Sequence, residues 1–414
     1  MSSERDPHLP PLPAAVKRLG WVSFFTDVSS EMIFPLLPTF LTTVLGASPF
    51  ALGLIEGVSD SVSSLLKLVS GYFSDRIKKR RLFVLIGYGL SSCLRPLIGI
   101  SHHWLTVFGI RFGDRIGKGI RSAPRDALIA AVVDQHNRGR AFGFHRMMDH
   151  AGAVVGSLIG AGFIFFAPGH YRQIFLLASI PAFCAISILY KLKEVESPAS
   201  LRPEQGVKKE VSPPYGLPRG VPQRVKVFLT LLFLFTLGNA TDAFLLLRLQ
   251  SGGIAIAYLP LLWAGFHVIK AYGNQWFGTF SDGREKGVFI FFGWLTYSLA
   301  YLLFALSLSK IQLALLFLGY GIFYGLTESP EKALLAEWAP SESYGAIYGF
   351  YHTILGVALL PAGLLFGFLW KTGGYPYAFR LISIIGFLSA LLWGAYYWRT
   401  LKDLKRGSLC NEKK

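Results

Sequence analysis

The chain has 414 residues, 52% of them hydrophobic, 15% aromatic and 16% charged, with a mean hydropathy of +0.45. Soluble domains carry roughly 25% charge, so this composition excludes an ordinary soluble protein and points to a membrane. The net charge of +17 would suggest nucleic acid in a soluble chain; here the basic residues cluster in short loops on one side of the expected spans, which fits topology and anionic lipid headgroups and excludes nucleic acid as a partner.

Residues 1–17 form a polar, proline-rich tail. No cleavable signal peptide is expected: the first apolar stretch is too long for a signal core and carries Asp27 and Glu31. Apolar runs long enough to cross a core of roughly 30 Å predict twelve spans, near 18–45, 50–73, 82–101, 104–124, 140–168, 172–192, 225–250, 254–279, 287–308, 311–334, 345–370 and 376–400. The fold class is therefore an all-α membrane protein of twelve transmembrane helices in two pseudo-symmetric six-helix bundles, 18–192 and 225–400. A linker at 193–224, rich in Pro, Glu and Lys, joins them, and a basic tail follows at 401–414.

Lysine and arginine set the orientation. Arg76, Lys78, Lys79, Arg80 and Arg81 follow span two, Arg138 and Arg140 follow span four, and Arg284 and Lys286 follow span eight. The opposite turns at 46–49 and 101–103 hold neither residue, and Arg172, Lys310 and Lys371 stand singly. Both termini and the linker are thus expected on the cytoplasmic side. Cys93, Cys184 and Cys410 have no paired or zinc-like spacing, so neither a disulfide, a metal site nor a cofactor is expected.

The halves repeat. Gly71-Tyr-Phe-Ser-Asp75 recurs as Gly278-Thr-Phe-Ser-Asp282, and the twelve residues from Gly119 recur from Gly325. Gly139 and Gly143-Phe144 recur as Gly345 and Gly349-Phe350, at the same offset of 206 as the Gly119 match; the first match is shifted by one more. A register held across two helices and a loop marks parallel repeats.

Charge inside the spans is the sharpest signal. Span one holds Asp27 and Glu31, and span two Glu56, Asp60 and Lys67. Arg95 lies in span three, Arg111, Asp114, Arg115 and Lys118 in span four, and Arg146 and Asp149 in span five. Facing lipid, these six acids and six bases would cost on the order of 30 kcal/mol together, so they must face each other or water. Arg111, Asp114, Arg115, Lys118, Arg121 and Arg125 fall on one stripe of span four, and His145 and Asp149 share a face with Gly152 and Gly156. Arg121 and Arg125 are read as structural. Gly152, Gly156 and Gly160 form a small-residue ridge suited to close helix packing. Glu31, near mid-membrane, is read as a carboxylate that takes up and releases a proton. The second half is sparser: Asn239, Asp242, His267, Lys270, Tyr320, Tyr324 and Glu328 are its candidates, with aromatic rings standing in for charges. His145, His150 and His267 are read as hydrogen-bonding residues.

These residues resemble the major facilitator superfamily over nearly the whole chain. Gly71 to Arg80 is similar to the family's loop signature after the second helix, with Lys78 at a position usually glycine. Arg115-Ile-Gly-Lys118-Gly119 is similar to its fourth-helix signature, with Lys118 replacing glutamine. Gly152 to Gly160 resembles the fifth-helix antiporter motif, but Ser157 occupies the usual proline position, which weakens an inference of antiport. The second-half loop copy keeps Asp282 but follows it with Gly283. The resemblance is to a bacterial subgroup, in an inner membrane. It implies alternating access around a site lined by helices one, four, seven and ten. It also implies a gate at Gly71, Asp75, Arg76, Arg80, Gly278 and Asp282, with Asp75 and Arg76 as a cytoplasmic latch, and Arg115 near a proton-coupling Asp27, Glu31 or Asp149.

The sequence thus predicts a secondary active transporter, coupled to protons, for a small polar, anionic or zwitterionic organic solute such as a metabolite or siderophore-like chelate. No phosphate-binding loop motif is present, which argues against ATP drive. The chain is expected to act as a monomer, with membrane lipids, a small solute and protons as its partners. The alternatives are efflux of toxic compounds by proton antiport, and a membrane-embedded transferase using His145, Asp149 and His150. A transporter-derived sensor would need an added domain that the linker is too short to supply.

Overall fold

The structure, a computed structural model, describes residues 12–77, 79–133, 138–191, 221–281, 284–306, 309–338 and 344–411. Among them there is no strand, and the helices form twelve spans. Six helical stretches are apolar and long enough to cross a membrane on composition alone: Arg80–Ile100, Ala141–Phe166, Tyr171–Tyr190, Lys286–Phe304, Lys310–Leu335 and Ile347–Lys402. The last holds two spans. The linker at 193–220 and the side chains of Asp75, Arg76 and Asp282 lie outside the described residues.

Two spans predicted as continuous are broken. Span one runs as Ala14–Glu31, then a 3-10 turn at Phe34–Leu36, then Leu37–Thr39 and a wide turn at Phe40–Val44. Pro35 and Pro38 lack the amide hydrogens a continuous helix needs there. Span seven is Gln223–Leu237 and Ala243–Ser251, interrupted at Gly238–Asp242. At the break of span seven, Tyr297 donates to Gly238 O at 2.6 Å and Tyr301 to Ala240 O at 3.5 Å; within the first helix of span one, Arg95 donates to Thr26 O at 2.8 Å. Within a bilayer such irregular backbone is tolerated only where protein or a wet cavity covers it.

Spans two (Pro49–Ile77) and four (Trp104–Ala131) pack together in the first half, as do spans eight (Leu259–Ser281) and ten (Lys310–Trp338) in the second. A methyl placed on Gly71 would meet Ala123, and one on Gly278 would meet Ser329. Likewise Gly119 abuts Leu66, and Gly325 abuts Gly273. Each pair in the first half maps onto its counterpart with an offset of 207 on one helix and 206 on the other (71 to 278, 123 to 329). The one-residue shift in the repeat is therefore a shift between helices that the packing absorbs.

Glycine also sets the closest approaches. Span five (Arg138–Phe166) lays Gly152, Gly156 and Gly160 against the backbone of Phe24, Val28 and Met32 in span one. These three glycines are packing residues, as their spacing suggested. Gly156→Leu would drive a side chain into the Val28 backbone; we expect it to abolish recovery of monodisperse protein, whereas Gly162→Leu, with open space beside it, should leave size-exclusion behaviour unchanged. Spans eleven and twelve form one helical run, Tyr344–Asn411, turned at Gly374, whose φ of +77° only glycine adopts readily.

The two halves meet along spans two and eleven. Gly53 lies against Gly363, Gly57 against Leu359 and Leu360, and Gly367 against Pro49. Thr39 donates to Gln250 at 2.8 Å between spans one and seven. That bond ties shut the end carrying the turns at 45–49 and 251–256, while the contact of spans two and eleven itself runs on to Gly356 against Ser64 and Gly349 against Leu68.

Candidate functional site

Charges of the first half divide into two groups. The inner group is a closed network. Arg111 holds Glu56 with two hydrogen bonds of 2.6 and 3.2 Å, and Arg95 holds Asp114 at 2.9 Å. Arg111 also lies 3.9 Å from Asp114. All four side chains are at most 7% exposed. Every charge here has an opposite partner, which is what permits its burial. Arg121 leaves the stripe: it stacks on Tyr88 and donates to Ser91 at 2.7 Å. Arg125 pairs with Asp126 at 2.9 Å. Both fit the structural reading.

The outer group faces the opposite half. Arg115 pairs with Asp60 at 3.6 Å, and Asp60 remains 34% exposed. The resemblance placed Arg115 near Asp27, Glu31 or Asp149; its ion pair is with Asp60, across the facing sides of spans two and four, and Glu31 lies within its electrostatic reach. Lys67, Lys118 and Asp27 sit within electrostatic reach of this pair or of one another. Asp149 lies 3.5 Å from His145 and 3.9 Å from Arg146, itself 64% exposed.

Across the gap, Tyr324 donates to both oxygens of Asp242 at 2.8 and 3.0 Å, and the Lys270 ammonium sits 3.6 Å above the Tyr324 ring. Glu328 accepts from Asn274 at 3.0 Å and lies 3.6 Å from Lys332. Asp60 and Asp242 interact across the halves, as do Arg146 and Glu328, and Lys67 and His352. Side-chain exposures near 35% at Asp60, Glu328 and Lys332 mark a polar vestibule between the bundles that solvent reaches. Asn239 lies in the break of span seven.

Glu31 stands at the shut end of this vestibule. Its carboxylate accepts from the Trp263 indole at 2.8 Å, joining span one to span eight, and Trp263 also packs on Phe34 at 5.0 Å. Among the described residues no lysine or arginine lies within ion-pair distance of Glu31. His267 packs edge-on against Trp263 at 5.0 Å and faces His150 at 6.1 Å. Neither of its ring nitrogens has a partner among the described residues, so the hydrogen-bonding role read from the sequence is not met there.

The repeat exposes an exchange of chemistry. At the offsets established above, Glu56 corresponds to Trp263, Arg95 to Tyr301, Arg111 to Phe317, Asp114 to Tyr320 and Lys118 to Tyr324. The second-half residues form a ring cluster: Trp263 stacks on Phe317 at 6.2 Å, and Tyr320 lies 6.0 Å from Tyr301 and 5.8 Å from Tyr324. The same positions are thus filled by paired charges in one half and stacked rings in the other.

Three functional-looking residues escaped the sequence reading. Trp263 carries no charge to flag it. Arg248 is buried, donates to Phe304 O and Leu306 O at 2.8 Å each, and stacks 4.0 Å over Tyr375; its position inside Phe244–Leu249 was the available signal. Glu331, at the position of Arg125 in the repeat, is buried and held by Tyr351 at 2.8 Å and Trp294 at 3.3 Å.

The Major Facilitator Superfamily model matches residues 19–269 and 253–409. An MFS-type transporter of Methanocaldococcus jannaschii is 33% identical over 380 residues, covering 90% of this chain and 92% of that protein. The multidrug resistance protein MdtH of an Enterobacter species is 30% identical over 131 residues, 31% of this chain and 32% of its own. In fold, the chain is similar to a POT family transporter crystallised with 5-aminolevulinic acid (TM-score 0.78, 14% identity, 94% of this chain and 96% of that one). It is also similar to the nucleoside transporter NupG (TM-score 0.75, 11% identity, 93% and 99%). With matches spanning both halves and a fold of twelve spans around a polar vestibule, the chain belongs to the major facilitator superfamily and is a multi-pass membrane transporter.

Proposed function

We propose that the chain is a proton-coupled secondary transporter that moves a small polar, anionic or zwitterionic organic solute by alternating access, in a cytoplasmic membrane with both termini inside. One observation carries this reading: Glu31, a carboxylate with no lysine or arginine at ion-pair distance among the described residues, is held by a neutral donor from the opposite bundle. A proton on Glu31 would remove the charge that the indole stabilises and so alter a contact that bridges the bundles. The solute's own charge would meet Arg115, Lys118 and Lys270. Its apolar part would meet Trp263 and Tyr324.

The vestibule and its shut end support an inward-facing state, with the turns at 45–49 and 251–256 outside. The transferase reading is weaker. His145 is buried against Asp149, and the paired bundles around a vestibule are the architecture of a transporter. Efflux by antiport is the second reading, favoured by the aromatic wall and the local likeness to MdtH.

The test is a thermal-shift screen of metabolites and chelates on the purified chain, followed by uptake into proteoliposomes. Accumulation that follows an inward pH gradient and collapses with a protonophore is the expected result. Transport of lipophilic cations in exchange for protons would establish efflux instead, and flux indifferent to the gradient would refute proton coupling.

A further inference from the structure

On the outside of the second bundle, away from the vestibule, spans eight and ten enclose a groove of about 440 Å³. Leu261 and Gly265 line one side, Ile311, Ala314 and Leu318 the other, and Gly253 and Lys310 form its upper rim. Its wall residues are open to the surroundings: Leu261 is 43% exposed and Ile311 73%. A side chain on Gly265 would press on Leu318, so this glycine gives the groove its depth.

The groove is chemically polarised. Its body is apolar, while its rim holds the Lys310 ammonium, which has no ion-pair partner among the described residues. Gly253, at φ +84°, has no side chain to displace the Lys310 stem, which lies against it. From Lys310 to Leu318 the helix rises about 12 Å, most of the roughly 15 Å of hydrocarbon in one leaflet. Leu262 borders the groove while the next residue, Trp263, bonds Glu31 at the seam, so the two sites lie on different faces of span eight.

We propose that this groove binds a phospholipid with an anionic headgroup, one acyl chain lying between spans eight and ten and the phosphate paired with Lys310. The facing leaflet is the one beside the turn at 251–256. A polar solute has nothing to bind in the groove's body, and an uncharged lipid leaves Lys310 unmatched. The groove fits an amphiphile that is charged at one end only, which is the chemistry of an anionic phospholipid.

The full chain in nanodiscs, loaded with phosphatidylglycerol carrying a diazirine in its acyl chain, tests this by irradiation and mass-spectrometric mapping. Crosslinks are expected at Leu261, Ile311 and Ala314. Lys310→Glu, an exposed change that leaves the fold alone, should reduce them about fivefold, the worth of one lysine beside an anionic lipid. Ala314→Trp should remove them while melting temperature holds. A diacylglycerol with the same chain should label the groove weakly and equally in wild type and Lys310→Glu. Labelling that is equal for the two lipids and indifferent to Lys310→Glu, or labelling confined to other surfaces, would overturn the proposal.

Discussion

Glu31→Gln is expected to abolish solute accumulation while leaving exchange down a concentration gradient intact. With one proton per solute, each unit of pH gradient can support about a tenfold accumulation, because one unit is worth 1.36 kcal/mol. A two-unit gradient therefore supports about a hundredfold accumulation in the wild type, and the variant should show none. Glutamine keeps an oxygen to accept from Trp263, 2.8 Å from the carboxylate in the wild type, so the contact between the bundles survives and only the proton is lost. Trp263→Phe makes the opposite change, keeping the acid and removing the donor. It should retain gradient-driven uptake with altered kinetics. If Glu31→Gln still concentrates solute in response to the gradient, another carboxylate carries the proton; Asp27, within reach of Asp149 and Lys118, is then the next to test.

Arg111→Ala is expected to cost about 3–5 kcal/mol of stability, the loss typical when one partner of a buried ion pair is removed. Glu56, 1% exposed and bonded twice by Arg111, would be left charged without a partner. Removing both together, as Glu56→Leu with Arg111→Met, should restore most of that loss, since a buried pair replaced by apolar residues is often neutral. Denaturation of the detergent-purified variants followed by tryptophan fluorescence measures both. Equal losses in the single and double variants would mean that the network contributes through something other than its mutual pairing. Asp60→Asn should behave differently, because Asp60 is a third exposed and pairs at 3.6 Å: a change of under about 1 kcal/mol in stability is expected, with the effect appearing in transport.

Hydropathy made the twelve spans legible, and the twin motifs at Gly71 and Gly278 made the repeat legible, because bilayer thickness and glycine contacts impose local patterns. The helical stripe on span four gathered Arg111, Asp114, Arg115, Lys118, Arg121 and Arg125, of which Arg121 turns away to Tyr88 and Ser91. It could not say which neighbour each would meet. Arg111 and Asp114 turn to Glu56 and Arg95 inside the bundle, while Arg115 reaches Asp60 toward the vestibule. Periodicity reports direction from one axis; partners depend on how far along each helix the neighbours sit. The breaks in spans one and seven escaped notice, although Pro35, Pro38 and the polar run from Gly238 to Asp242 mark them, because the apolar residues on either side carry the span signal across; Tyr297 and Tyr301, distant in sequence, cap the carbonyls of Gly238 and Ala240. Trp263 was invisible for a related reason: an indole becomes part of an ionic site only when folding brings Glu31 to it.

Alternating access requires a vestibule that is shut at one end by contacts between the bundles and able to open there. Spin labels at Thr43 and Ser251, both exposed at the shut end, measure this by pulsed electron resonance in nanodiscs, in a background lacking the native cysteines. One short distance is expected in the resting protein, and a second, longer population when solute and low pH are applied together. A single distance that never changes across solute, pH and Glu31→Gln would contradict alternating access.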